Sequence, residues 1–124
     1  MRLDEAGFDP PWVRDLAREL AMSESSTRLL MKRLAGMGEV VEVVSDRFYR
    51  RQTMHEMACM LAEMCRAGGD GAVTAAAFRD RICTGRKLAI IILEFFDRSG
   101  VTIRHGDLRK VRPERVQSFA GPIE

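Results

Sequence analysis

A shift of 62 positions lays the second half of this chain over the first. Leu16 falls on Phe78, Leu20 on Ile82, Ser23 on Gly85, Leu30 on Ile92 and Met31 on Leu93. Leu34 then falls on Phe96, Gly38 on Gly100, Tyr49 on Val111 and Arg50 on Arg112. Apolar character is kept at core-like spacing, and a glycine recurs at the same place. Two copies of one supersecondary unit are the simplest source of such self-similarity. With 124 residues in all, each copy must be a very small module.

The two copies read alike. Pro10-Pro11 opens a helix at its first turn, where a missing N–H costs nothing. Val13, Leu16, Ala17 and Leu20 follow at helical spacing. Ser23 or Ser25 can cap a second helix through Leu30, Met31, Leu34 and Met37, which Gly38 stops. Glu39 to Arg51 is rich in β-branched residues around Ser45-Asp46 and reads as a hairpin. Met54, Met57, Ala58, Leu61, Met64 and Cys65 then mark an amphipathic helix over 53–67, ended by Gly68-Gly69. The second copy follows as a helix over 74–82, a turn at 83–85, a helix over 86–99 stopped by Gly100, and a hairpin over 101–112 turning at Gly106-Asp107. A helix, a helix–turn–helix and a two-stranded wing, in that order, make a winged helix. The expected class is therefore mainly α with small β-hairpins (α+β), as tandem winged-helix domains over 1–52 and 53–124. The first lacks room for its own leading helix, so the chain is expected to start partway into a module of a longer protein.

Charge is unevenly spread. The net charge is +2, but residues 1–65 carry 9 Lys/Arg against 11 Asp/Glu, whereas residues 66–124 carry 11 against 7. Between Arg81 and Arg115 there are nine cations and four acids. A local surplus of this kind suits a nucleic-acid footprint. Cys59, Cys65 and Cys83 are odd in number and lack CxxC spacing, as expected in a reducing compartment. Neither a run of 18 apolar residues nor a basic-then-apolar leader occurs, so a soluble cytoplasmic chain without membrane partners is expected.

The repeat supplies an internal control for that surplus. Glu24 and Ser25, at the start of the first copy's second helix, become Arg86 and Lys87. In the hairpin Glu42 and Val43 become Arg104 and His105, Phe48 becomes Lys110, and Arg47 and Arg50 stay basic as Arg109 and Arg112. Packing cannot require this inversion, because the first copy packs without it. Two cations in the first helical turn oppose the helix dipole, which is tolerated where an anion such as phosphate is to be held. Phe48, Tyr49 and the methionine-rich helix read as core. Trp12 reads as a packing residue between modules. His55 and His105 have no clustered acids or cysteines for metal or acid–base work. Asp80 and Asp97 are expected to pair at the surface with Arg79, Arg81 or Arg98.

The stretch FRDRICTGRKLAIIILEFFDRSG over 78–100, followed by Thr102 and the Gly106-Asp107 turn, resembles the C-terminal winged-helix domain of bacterial SelB, the selenocysteine-specific elongation factor. DPPWVRDLARELAMSESSTRLLMKRLAGMGEVVEV, upstream, resembles the winged-helix domain just before it. The resemblance runs from Phe8 to about Pro113. It implies the mRNA-binding tail of a GTPase that carries selenocysteyl-tRNA to the ribosome, the last winged helix binding the SECIS hairpin so that UGA is decoded as selenocysteine. No GxxxxGK[ST] phosphate loop is present, so neither catalysis nor a cofactor is expected of this fragment. Arg86 and Lys87 match the family's turn-to-helix pair, and Arg112 a basic residue at the last wing strand. Cys83 stands where the family usually has glycine, and His105 where it often has arginine.

The candidate RNA-contacting residues are Thr84, Gly85, Arg86, Lys87, Arg104, His105, Arg109, Lys110 and Arg112, in a chain expected to be monomeric. An RNA stem has a deep, narrow major groove closed to a recognition helix, so backbone and loop contacts are expected. About five phosphates, neutralised by Arg86, Lys87, Arg104, Arg109 and Arg112, would give a slope of log K on log salt of roughly −3.5 to −4.5. A DNA-binding regulator on the same fold, and a protein-interaction module, are the competing readings.

Overall fold

Helix α1, Val13–Leu20, starts after Pro10-Pro11 rather than on it: Trp12 is its extended N-cap residue, and both prolines lie outside. The computed structural model describes residues 8–119. Residues 1–7, where the sequence has room for only the last turn of a leading helix, lie outside them. Helix α2, Glu24–Gly36, opens on Ser23, whose side chain accepts from the Ser26 N–H at 3.0 Å. Thr27, fully buried one turn in, donates to the Ser23 carbonyl. Strands β1, Val40–Val44, and β2, Arg47–Arg50, form the antiparallel hairpin around Ser45-Asp46. Val13, Leu16, Met31, Val40 and Phe48 make the core, with Leu34 and Ala35 against it.

Helix α3, Arg51–Ala67, follows β2 directly. Its Met54, Met57, Ala58 and Leu61 are fully buried, the role expected of the methionine stripe. Strand β3, Val73–Thr74, leads into helix α4, Ala75–Ile82, whose N-cap Thr74 accepts from the Ala77 N–H. Helix α5 spans Arg86–Ser99. Strands β4, Thr102–His105, and β5, Leu108–Val111, pair antiparallel, and β3 adds to the free side of β5, giving the order β3-β5-β4. A 3-10 segment, Pro113–Phe119, follows and sets Phe119 6.0 Å from Phe96 and 6.2 Å from Phe95, ring centre to ring centre. Neither β3 nor this segment was read from the sequence.

The chain divides into two compact units that meet after Met54, inside α3. The 62-residue shift holds in the backbone of both. Ala21 ends α1 at φ 55°, and Cys83 ends α4 at φ 56°. Gly38 and Gly100 turn the chain after α2 and α5 at φ 80° and 83°. The Trp12–Arg47 bridge in the first unit recurs in the second as the Val73–Arg109 pair, offset by one residue because Trp12 falls on Thr74. Burial breaks the symmetry: Leu20 and Leu30 are 49% and 39% exposed, whereas their counterparts Ile82 and Ile92 are buried. Among the described residues no helix precedes α1 as α3 precedes α4, and these two leucines, expected in the core, stand open.

Candidate nucleic-acid interface

The two helix–turn–helix units differ most at the N-terminus of the second helix. In α2 the Ser23 side chain caps the end and Glu24 places a carboxylate in the first turn. Both satisfy a positive helix end internally. In α5 the N-cap is Gly85, which has no side chain to offer, and the first turn holds no acid. No side chain caps its leading N–H groups, and Arg86 and Lys87, both exposed, add two cations there. An uncapped, cationic helix end with no carboxylate in its first turn is a candidate anion-binding element.

A cleft of 490 Å³ opens beside it. Arg86 and Ile90 of α5 form one wall, Thr74, Ala75, Ala76 and Arg79 another, and Arg104, Asp107 and Arg109 of the wing a third. The Arg104 Nε donates to the Gly106 carbonyl at 2.9 Å, which holds the side chain on its own turn. Arg79 is held by Asp80, Nη2 to Oδ1 at 3.1 Å, the surface pair expected between these neighbours. The first unit has a cleft in the corresponding position, 360 Å³, lined by Trp12, Arg14, Glu24 and Asp46. Arg28 donates to Asp46 at 2.7 Å and holds that carboxyl below the usual carboxylate range. One scaffold thus lines its cleft with two carboxylates and one arginine in one unit, and with four arginines and one carboxylate in the other.

The structure sorts the nine sequence candidates. Arg86 and Arg104 converge on the cleft. Lys87 is exposed on the same helical turn as Arg86, and Thr84 and Gly85 lead into it, with the Thr84 hydroxyl donating to the Gly85 carbonyl. Arg109 is a correction. Its side chain is 4% exposed, with Nε and Nη2 on the Asp97 carboxylate at 3.1–3.2 Å, so its charge is neutralised inside the fold. Asp97, expected to pair at the surface, faces inward to Arg109 and Thr102. The repeat carried a warning, because Arg47, the counterpart of Arg109, is basic in the acidic unit too. There its guanidinium bonds Asp9 and the Pro10 carbonyl and lies 4.7 Å from the centre of the Trp12 ring. Trp12 thus has a packing role within its own unit.

Strand alternation splits the wing. Thr102, Arg104 and Arg109 turn toward α5, while Ile103, His105 and Lys110 lie on the other face. His105, Lys110 and the exposed Arg112 therefore stand outside the cleft. Arg79 and Thr74 were missed as site residues. The signal available was helical spacing: Arg79 stands four residues after Ala75, on the α4 face that carries the start of the helix toward the wing. Phe48 and Tyr49 are buried, the core role expected of them. His55 reaches the Val116 carbonyl and Cys59, each near 3.5 Å. Burial pushes the Cys65 thiol up, and its sulfur donates to the Arg109 carbonyl. No helix among the described residues is long and apolar enough to cross a membrane.

Comparison with known proteins gives the arrangement its context. A family model for "Elongation factor SelB, winged helix" matches residues 67–111, and one for "Selenocysteine-specific elongation factor, winged helix domain" matches residues 5–49. The solved mRNA-binding domain of elongation factor SelB from E. coli, in complex with SECIS RNA, superposes with a TM-score of 0.81 at 41% identity, covering 89% of this chain and 90% of that one. The chain belongs to the SelB winged-helix family. The selenocysteine-specific elongation factor of Escherichia coli K12 is 45% identical over 101 residues, 82% of this chain, and that of Haemophilus influenzae 34% identical over 113 residues, 91% of this chain. The chain spans only 16% and 18% of the length of these two SelB proteins.

Proposed function

We propose that this chain is the mRNA-binding part of a selenocysteine-specific elongation factor and that its second unit holds a SECIS-type RNA hairpin. The observation that carries this reading is the uncapped N-terminus of α5, with Arg86 and Lys87 in its first turn and Arg104 facing it across the cleft. The first unit's matching helix end is capped and acidic, so packing does not demand the cationic one. The SelB domain that this chain resembles was solved with SECIS RNA, which supports the same ligand here.

In this reading Arg86, Lys87 and Arg104 contact phosphates of the upper stem, with Arg79 within reach and the first N–H groups of α5 completing the shell. Thr84 and Gly85 border the contact through backbone and hydroxyl. Unpaired loop bases supply specificity through stacking on guanidinium planes or edge hydrogen bonds, since the A-form major groove excludes the helix. The domain division near 52/53 then separates a spacer winged helix from the RNA-binding one. The fragment acts as a monomer without cofactor or catalysis. Its parent, a cytoplasmic GTPase, brings selenocysteyl-tRNA to the ribosome at UGA.

With Arg109 removed from the contact set, about three or four phosphates are neutralised, and log K falls with log salt at a slope of about −2 to −3.5. Fluorescence anisotropy of a labelled SECIS hairpin, against a loop-replaced hairpin and duplex DNA of equal charge at one salt concentration, tests the proposal. Preference for the intact loop supports it. Equal binding to all three would reduce the site to a nonspecific polyanion surface, and preference for the duplex would favour a DNA regulator.

A further inference from the structure

The buried ion pair of the second unit has no counterpart in the first. Asp97 corresponds to Ala35 in the repeat, and Thr102 and Arg109 to Val40 and Arg47. The arginine common to both units is tied differently in each. Arg47 anchors the segment before α1, through Asp9 and Pro10. Arg109 instead spans from the wing to the last turn of α5, where Asp97 also accepts from the Thr102 hydroxyl at 2.5 Å. Three features make this arrangement unlike ordinary stabilisation. A carboxylate in the last helical turn opposes the helix dipole. Sequestering an ion pair from water adds little net stability compared with apolar packing. And the sister module closes its own wing without one.

The wing explains what the pair accomplishes. Arg104 and Arg109 stand directly opposite each other across β4 and β5. Like charges so placed repel. Asp97 neutralises Arg109 and ties both wing strands, one through Thr102 and the other through Arg109, to the helix whose other end carries Arg86.

We propose that Asp97, with Thr102 and Arg109, is a positioning group for RNA recognition: it locks the wing to α5 so that Arg104 faces Arg86 across the phosphate-binding cleft. This rests on the cleft being the RNA site, but its mechanical part does not need RNA. In the whole chain without ligand, the Arg104 Nε–H resonance, assigned by its disappearance in Arg104→Lys, is expected to be dispersed and slow to exchange. In Asp97→Asn the local bond to Gly106 is kept, but the resonance shifts because Arg109, directly opposite Arg104, is released, while the backbone amide spectrum of α5 is retained. With RNA, Asp97→Asn weakens binding of the labelled SECIS hairpin about tenfold in the parent background and less than about twofold when Arg104 is already alanine, the coupling that marks a shared function. Lys87→Ala, at a residue that does not line the cleft, shows no such coupling. Thr102→Val removes one hydrogen bond without removing a charge, and is expected to give a smaller loss with the same coupling should Asp97→Asn fail to fold. Equal losses in both backgrounds, or an unchanged Arg104 resonance in a folded Asp97→Asn protein, overturns the positioning role. Absence of RNA binding by the parent chain, with the resonance shift intact, would instead refute the choice of ligand and leave the lock standing.

Discussion

Cys83 shows how much a single backbone angle explains. It ends α4 at φ 56°, in the left-handed region, and its N–H returns to the Arg79 carbonyl. This is the position at which glycine is usual in the resembled family, and the conformation supplies the reason: a side chain there is strained, and glycine is not. Cys83→Gly is expected to raise the stability of the second unit by about 0.5–1 kcal/mol in urea melts, the relief of strain being partly offset by the entropy of the unfolded glycine. Tyr49 offers a second test because it is the only tyrosine in the chain. Its hydroxyl donates to the Phe8 carbonyl, and burial pushes its ionisation well above the ordinary value, with Arg47 drawing it down and Asp9 raising it further. A raised phenol favours the fold fully below about pH 10, the unfolded value, and that contribution is lost as pH rises through the folded value. Tyrosinate absorbance should therefore stay absent past pH 10 and appear together with the loss of Trp12 fluorescence, which reports the same unit. Titration near the free value with fluorescence intact would show the hydroxyl to be accessible.

At the scale of elements, a helix start decides what a module can bind. The contrast between α2 and α5 lies in three consecutive positions: Ser23, Glu24 and Ser25 against Gly85, Arg86 and Lys87. Replacing Arg86 and Lys87 by the first unit's residues, as Arg86→Glu with Lys87→Ser, leaves the helix intact and is expected to weaken SECIS-hairpin binding by at least about thirtyfold, since it both removes cations and inserts a carboxylate at the anion site. Anisotropy at one salt concentration measures it, and a change under threefold would move the site elsewhere. Much of this element was legible beforehand. The 62-residue period aligned the two helix starts, and the charges there are exposed in both units, so their sequence could be read directly. The wing was harder. Arg104, His105, Arg109, Lys110 and Arg112 look alike in sequence, but strand alternation sends them to different faces, and Arg109 is buried by a partner twelve residues away in a helix. A cation's fate depends on which carboxylate the fold brings to it, and nothing local in the sequence states that. β3 escaped notice for a related reason: two residues form a strand only because β5 lies alongside them.

On the scale of the whole molecule, duplication separates what the fold needs from what the function needs. Positions that keep their character in both units are structural: Leu16 and Phe78 in the core, Gly38 and Gly100 at positive φ, and Arg47 and Arg109, each mostly buried and tied by hydrogen bonds within its own unit. Positions that change sign are the candidates for recognition. The same logic separates the units in experiment. Phe48→Ala empties the core of the first unit and is expected to cost it about 3–5 kcal/mol, seen as an early loss of Trp12 fluorescence on heating. RNA affinity at a temperature where the second unit remains folded should change less than about twofold, because the two compact units have separate cores and sites without shared partners act additively. A parallel collapse of RNA binding would place part of the RNA site in the first unit.

The central claim is electrostatic, and salt reports on it most directly. Titration of the labelled SECIS hairpin into the chain, from low to moderate salt, should give a slope of log K on log salt of about −2 to −3.5, and alanine at both Arg86 and Lys87 should flatten it by about 1.5 units while weakening binding. An unchanged slope and affinity in the folded double variant would contradict the account.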